Sequence, residues 1–169
     1  MKLLVPIDGS KASENALEYA IRLQQNLLPS SDKEIIILNV LPHFHVPLGF
    51  ERSMKSLKTG KDISLTDFIQ EMNEAIKKEW MDKLSDIKKK YEIPDIKIKT
   101  EIIGGSSSIA DNIISFADKE NANIIVIGNI GLGGISKIKT LGSISRNVSE
   151  KANCPVLIVH QSQGRHYTN

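Results

Sequence analysis

Apolar residues along this chain fall into short unbroken runs that alternate with longer stretches of three-and-four spacing. KLLVPI (2–7) is the first run, and it stops at Asp8-Gly9-Ser10. A short apolar run closed by turn residues predicts a buried strand. Ala16, Leu17, Ala20, Ile21, Gln24 and Leu27 then trace one helical face, with Ser10 or Ser13 to cap it and Pro29-Ser30-Ser31-Asp32 to end it. EIIILNVL (34–41) is continuous and mostly β-branched, as expected of a central parallel strand covered on both faces.

Residues 42–66 keep no clean period and read as a long excursion loop with room for a short helical piece. From Asp67 the helical period returns through Ile69, Met72, Ile76, Trp80, Leu84, Ile87 and Tyr91, which makes Trp80 a core residue, and Pro94 closes the helix. IKIKTEII (96–103) alternates like an edge or half-covered strand. Gly104-Gly105-Ser106-Ser107-Ser108 turns into a helix with Ile109, Ala110, Ile113, Ile114 and Ala117 inside. NIIVIG (123–128) is a fourth strand, Ile144, Val148 and Ala152 mark a last helix, and VLIVH (156–160) is a fifth strand. A polar tail, 161–169, follows the domain spanning 1–160.

Five strands separated mostly by helices predict a single open parallel α/β sheet built from right-handed βαβ units, with helices on both faces. Ligands of such sheets bind beyond the carboxyl ends of the strands, where strand order reverses. Two loops at strand ends have unusual composition, Asp8-Gly9-Ser10 and the segment from Gly128. The site is therefore expected between the first and fourth strands.

Composition narrows this picture only modestly. A chain of 169 residues, 40% hydrophobic and 25% charged, fits one globular domain. No apolar run approaches the roughly 20 residues that span a bilayer, and the short apolar run after Met1-Lys2 is no secretory signal. A single cysteine, Cys154, makes no internal disulfide, so a cytoplasmic setting is expected, and the residue reads as ordinary packing. The net charge of +2 is unevenly placed: from residue 128 onward Lys137, Lys139, Arg146, Lys151 and Arg165 face only Glu150, a local net of +4. That balance suits an anionic ligand or a solvated helix face. With few bases and no aromatic platform, nucleic acid is not expected.

The candidate chemistry lies in GNIGLGGISKIKTLGS (128–143). No Gly-Lys-Ser/Thr follows a glycine run, which excludes a P-loop, and DGSKAS after the first strand excludes a dinucleotide fingerprint. Glycines at the end of a buried strand let backbone N–H groups approach an anion, and Gly142-Ser143 opens a helix whose N–H groups point toward it. Capping of that helix without a ligand remains the alternative reading. Asp8 is placed either to accept from an adenine amino group or a ribose hydroxyl, or to serve as a turn or cap residue. Val40, ending the second strand, offers backbone groups and an apolar surface to a base. Ser10 and Ser143 have no histidine in sequence to activate them, and His43 and His45 alone make a weak metal pair.

VPIDGS (5–10), LNV (38–40), VIGNIG (126–131), Gly142-Ser143 and ANCPVLIV (152–159) together resemble the universal stress protein family over nearly the whole chain apart from 42–66 and the tail. The resemblance implies strand order 3-2-1-4-5 in an adenine nucleotide alpha hydrolase-like fold. It also implies the ATP-binding branch, whose pattern is G-x2-G-x9-G-S/T. Carried onto this chain, Gly128 and Gly131 stand for its first two glycines and Gly142-Ser143 for its closing pair, Pro6, Asp8, Val40 and Ile127 resemble the adenine and ribose surroundings, and Ile144 follows the phosphate-binding serine. Ten residues rather than nine separate Gly131 from Gly142. The implied function is an ATP-binding regulatory homodimer paired through Val156–Val159, with Mg²⁺ an optional companion on the phosphates and unidentified protein partners downstream. A slow ATP-hydrolysing enzyme and a dimeric signalling module without nucleotide are the alternatives.

Overall fold

The first apolar run forms strand β1 (Lys2–Pro6), and Ser10 caps the helix after it, its Oγ accepting from the Ser13 N–H at 3.2 Å. Helix α1 (Lys11–Asn26) buries Ala16, Leu17, Ala20, Ile21 and Gln24, the face expected from the spacing. Gln24 is polar yet sealed, because its Nε2 donates to the carbonyls of Met1 at 2.8 Å and Glu34 at 3.3 Å. It thereby staples the amino ends of β1 and of strand β2 (Glu34–Leu41). The computed structural model describes residues 1–26, 32–42, 52–105, 107–131 and 141–160. Leu27, His43, His45, Lys137, Lys139 and the tail with Arg165 and His166 lie outside them.

The described part of the excursion is a hairpin rather than a helical piece. Strands β3 (Ser53–Lys55) and β4 (Asp62–Ser64) pair antiparallel. Their connection closes through Ser56 N–H to Lys61 O at 2.9 Å, and Gly60 supplies a φ of +71° that side chains disfavour. Helix α2 (Leu65–Lys90) starts two residues before the expected Asp67, because Ser64 caps it by accepting from the Asp67 N–H. Its 26 residues run about 39 Å at 1.5 Å each, whereas the eight-residue strand β5 (Lys97–Gly104) beneath it runs about 26 Å. The hairpin docks on the amino-terminal part of α2. Glu71 accepts from Ser56 Oγ at 2.8 Å and the Leu57 N–H at 2.7 Å, and Glu74 pairs with Lys58 at 2.6 Å. Only Leu84 of the α2 stripe is fully buried; Trp80 packs against the core but keeps a partly exposed ring.

Helix α3 (Ile109–Glu120), strand β6 (Ile124–Gly128), helix α4 (Ser143–Lys151) and strand β7 (Val156–Val159) complete the chain order. All five long strands run parallel in the order β5-β2-β1-β6-β7. With the hairpin set aside, this is the expected 3-2-1-4-5. Strand alternation divides the core into two layers. Leu3, Val5, Ile35, Ile37 and Val126 pack against α1 and α2, while Leu4, Ile36, Leu38, Ile125 and Ile127 pack against α3 and α4. Cys154 joins the second layer, and burial together with Asp118 pushes its thiol upward, which keeps it protonated. At the amino ends of the strands Glu34 pairs with Lys99 at 2.6 Å and Lys97 at 3.9 Å. The Lys99 hydrogen bond holds its carboxyl below the usual carboxylate range against the cost of burial. Among the described residues no helix is long and apolar enough to cross a membrane.

Candidate functional site

Above the carboxyl ends of β1, β2 and β6, where strand order reverses, the chain encloses a cleft of about 520 Å³. Pro6, Asp8, Val40, Ile127, Gly128, Gly131, Gly142, Ser143 and Ile144, the residues expected from sequence, all line it. A broader depression of about 740 Å³ lies at the opposite, amino ends of the strands. Of its charged residues, Lys2, Glu34 and Lys97 engage in ion pairs that join parts of the fold.

One wall is set by the end of β1. In the β1–β2 ladder the last register pair is Pro6 with Leu38, and the Ile7 N–H donates to Leu38 O at 2.8 Å. One more rung would join the Val40 N–H to Ile7 O and the Gly9 N–H to Val40 O. Neither forms. Asn39 Nδ2 takes Ile7 O at 2.9 Å, and Gly9, at φ +82°, turns the chain off the ladder. Val40 therefore keeps a donor and an acceptor at the cleft. Asp8 sits in the turn with its two oxygens in different surroundings. Oδ1 accepts from the Ser10 N–H at 3.0 Å, and a Cβ added at Gly131 would fall 2.6 Å from Oδ2. The bare Cα of Gly131 is what leaves that carboxylate its space.

The opposite wall is the neck of the glycine-rich segment. The Gly142 N–H donates to Asn129 O at 2.7 Å, and buried Ser145 donates from Oγ to the same carbonyl at 2.8 Å and to Gly142 O at 3.0 Å. These bonds fix residues 129 and 142 together whatever the length between them. The extra residue of the spacing thus falls beyond a neck that is already closed; Gly133, Gly134 and Lys137 lie outside the described residues. Gly128 turns out to serve packing: a Cβ there would meet the carbonyl carbon of Ala12 at 2.7 Å and Ala12 Cβ at 2.9 Å. Its glycine lets the start of α1 close onto the end of β6.

Helix α4 begins at this neck and differs from its neighbours. Helices α2 and α3 are each capped by a serine that accepts from an aspartate N–H three residues on, and Ser10 caps α1 by accepting from the Ser13 N–H at the same spacing. Gly142 in the N-cap position gives α4 no side-chain cap, and its first turn holds no acid. Ser143 is exposed there, and its hydroxyl has no hydrogen bond among the described residues. The first N–H groups of α4 and that hydroxyl make a positive, donor-rich end to the cleft.

Between the two walls the lining is apolar. Ile130 is buried and forms part of the wall. Sequence reasoning placed Ile109 and Ile113 only in a helix core, yet both line the cleft, as do Ser13 and Ser145. The signal was present in the isoleucines: they occupy the first turns of the helix after an outer strand, above the strand ends. Among the described residues no group of three or more His, Cys, Asp or Glu gathers to hold a metal.

The sequence profile of the Universal stress protein family matches residues 1–160. The chain is 32% identical to Universal stress protein MJ0531 of Methanocaldococcus jannaschii over 161 residues, covering 94% of this chain and 81% of that protein. It is 33% identical to Universal stress protein YxiE of Bacillus subtilis over 159 residues, covering 94% and 97%. The solved structure of MJ0577, a protein also found in M. jannaschii, superposes with a TM-score of 0.74 at 27% identity over 96% of this chain and 97% of that one.

Proposed function

The chain belongs to the universal stress protein family, and on that premise we propose that it binds ATP in the cleft and acts as a nucleotide-dependent regulatory homodimer. The observation that carries the reading is the start of α4, a helix left without a side-chain cap beside an exposed serine in a chain whose other helices begin with capping serines. Such an end is completed by an anion, and phosphate oxygens satisfy several N–H groups at once. Toward the other wall, the apolar lining takes a planar base. The Val40 N–H and C=O match the adjacent acceptor and amino donor of an adenine edge, whereas the N7/O6 edge of guanine, with acceptors at both places, would leave the Val40 carbonyl unsatisfied. Asp8 Oδ2 serves the ribose or the base edge.

Mg²⁺ enters as the companion of the nucleotide's own phosphates, since the described residues gather no metal-ligating group of their own. The homodimer rests on β7, whose four apolar residues are all only partly covered on a sheet edge. Calorimetric titration with ATP, with and without Mg²⁺, tests the binding. Asp8→Ala is expected to weaken it about tenfold, the worth of one or two hydrogen bonds to a charged group. No heat of binding in the unaltered protein favours a signalling module without nucleotide. Release of ADP or AMP during prolonged incubation would make the protein a slow hydrolase.

A further inference from the structure

We propose that Asn39 is a positioning residue that splits β1 from β2 and so reserves the Val40 N–H and C=O for a ligand. Asn39 is 3% exposed and stands on β2 in the face that otherwise presents Ile35 and Ile37, both fully buried. Among the described residues its Oδ1 has no hydrogen-bond partner. A buried, half-satisfied amide in an aliphatic layer costs stability, and a leucine of similar size would not. Packing therefore gives no reason for an asparagine here.

The ladder supplies one. The next rung after Pro6–Leu38 requires Ile7 O to accept from the Val40 N–H. Asn39 Nδ2 occupies that carbonyl at 2.9 Å, reaching across from the residue just before Val40. Ile7 O is satisfied, the rung stays open, and Val40 lines the cleft with its backbone groups uncommitted. The chain leaves the ladder in the turn that holds Gly9 at positive φ, and the Gly9 N–H does not reach the Val40 carbonyl. A side chain that imitates a backbone donor thus ends the sheet one rung early, where a base is to be read. What the base gains from this rests on the nucleotide reading above; the open rung itself does not.

Amide hydrogen exchange of the ligand-free protein tests the open rung directly. In the unaltered protein the Val40 amide is expected to exchange at least about tenfold faster than that of Leu38, whose rung is closed. In Asn39→Leu the rung closes and Val40 slows to the Leu38 rate. In Asn39→His, whose ring Nδ1–H stands at the same depth as the amide nitrogen, Val40 stays fast. Affinity for adenosine should fall about tenfold in Asn39→Leu and hold in Asn39→His, the loss of one or two base contacts. Tripolyphosphate affinity should be equal in all three, since it reads only the α4 end. Equal protection of Val40 and Leu38 in the unaltered protein overturns the proposal, and that result needs no variant to fold. So does an Asn39→Leu protein whose Val40 exchange and adenosine affinity are both unchanged. Adenosine binding to none of the proteins contradicts the nucleotide reading alone, and the exchange rates still decide the role of Asn39.

Discussion

A Cβ at Gly128 would stand 2.7 Å from the carbonyl carbon of Ala12, whereas one at Gly142 would meet its nearest neighbours at an ordinary 3.4 Å. The two glycines bracket the same segment but sit in different surroundings, tight packing at one and an open helix start at the other. Gly128→Ala must push α1 off β6, at a cost of about 1–3 kcal/mol. Gly142→Asp meets no such obstacle. Its backbone, at φ −63° and ψ 160°, is already that of an N-cap, so the carboxylate caps α4 and adds roughly a few tenths of a kcal/mol over glycine. The same carboxylate repels phosphate. Thermal melting and ATP titration of both variants should therefore diverge, with Gly128→Ala melting several degrees lower and Gly142→Asp melting higher while losing ATP. Lower melting of Gly142→Asp would contradict the open-cap reading. Sequence spacing located both glycines but not this division, because the partner of Gly128 is the start of a helix more than a hundred residues earlier. The Asn39–Ile7 bond was hidden for the same reason: a buried polar residue in an apolar run shows its purpose only through the strand beside it.

At the scale of elements, α2 joins the cleft to the outer face of the molecule. Trp80, the single tryptophan, lies against the turn that carries Asp8; a Cβ added at Gly9 would touch its Cη2 at 3.5 Å. Lys83 stands 5.1 Å from the same ring. A ligand held by Asp8 restrains this turn, so ATP should produce a saturable change in tryptophan emission with the calorimetric midpoint. Asp8→Ala should show no such change at the same concentrations. Emission that stays constant while calorimetry reaches saturation would uncouple α2 from the site. The helical period of α2 was plain in sequence, and Trp80 fell on its stripe as expected. The hairpin before it was not legible, since β3 and β4 are three residues each and too short to register as periodic. They are held as much by Glu71 and Glu74 on α2 as by each other.

For the whole molecule, the parallel sheet and a cleft between its first and fourth strands followed from the run of buried strands and helices, because a parallel sheet allows few ways to connect them; the strand order itself came with the family resemblance. On β7 the carbonyls of Pro155 and Val159 face β6, accepting from Ile125 and Asn129, so alternation turns the Val156 and Ile158 backbone groups outward. Ile158→Pro removes an outward N–H and spares the ladder to β6. Analytical ultracentrifugation should find the unaltered protein dimeric and Ile158→Pro monomeric; a variant that stays dimeric would place the interface elsewhere. If the cleft reads adenine at one wall and phosphate at the other, parallel calorimetric titrations with ATP and GTP address both walls at once. We predict that ATP binds at least about tenfold more tightly than GTP, the cost of leaving the Val40 carbonyl and a guanine acceptor without partners. Equal affinity for the two, or binding of neither, would contradict it.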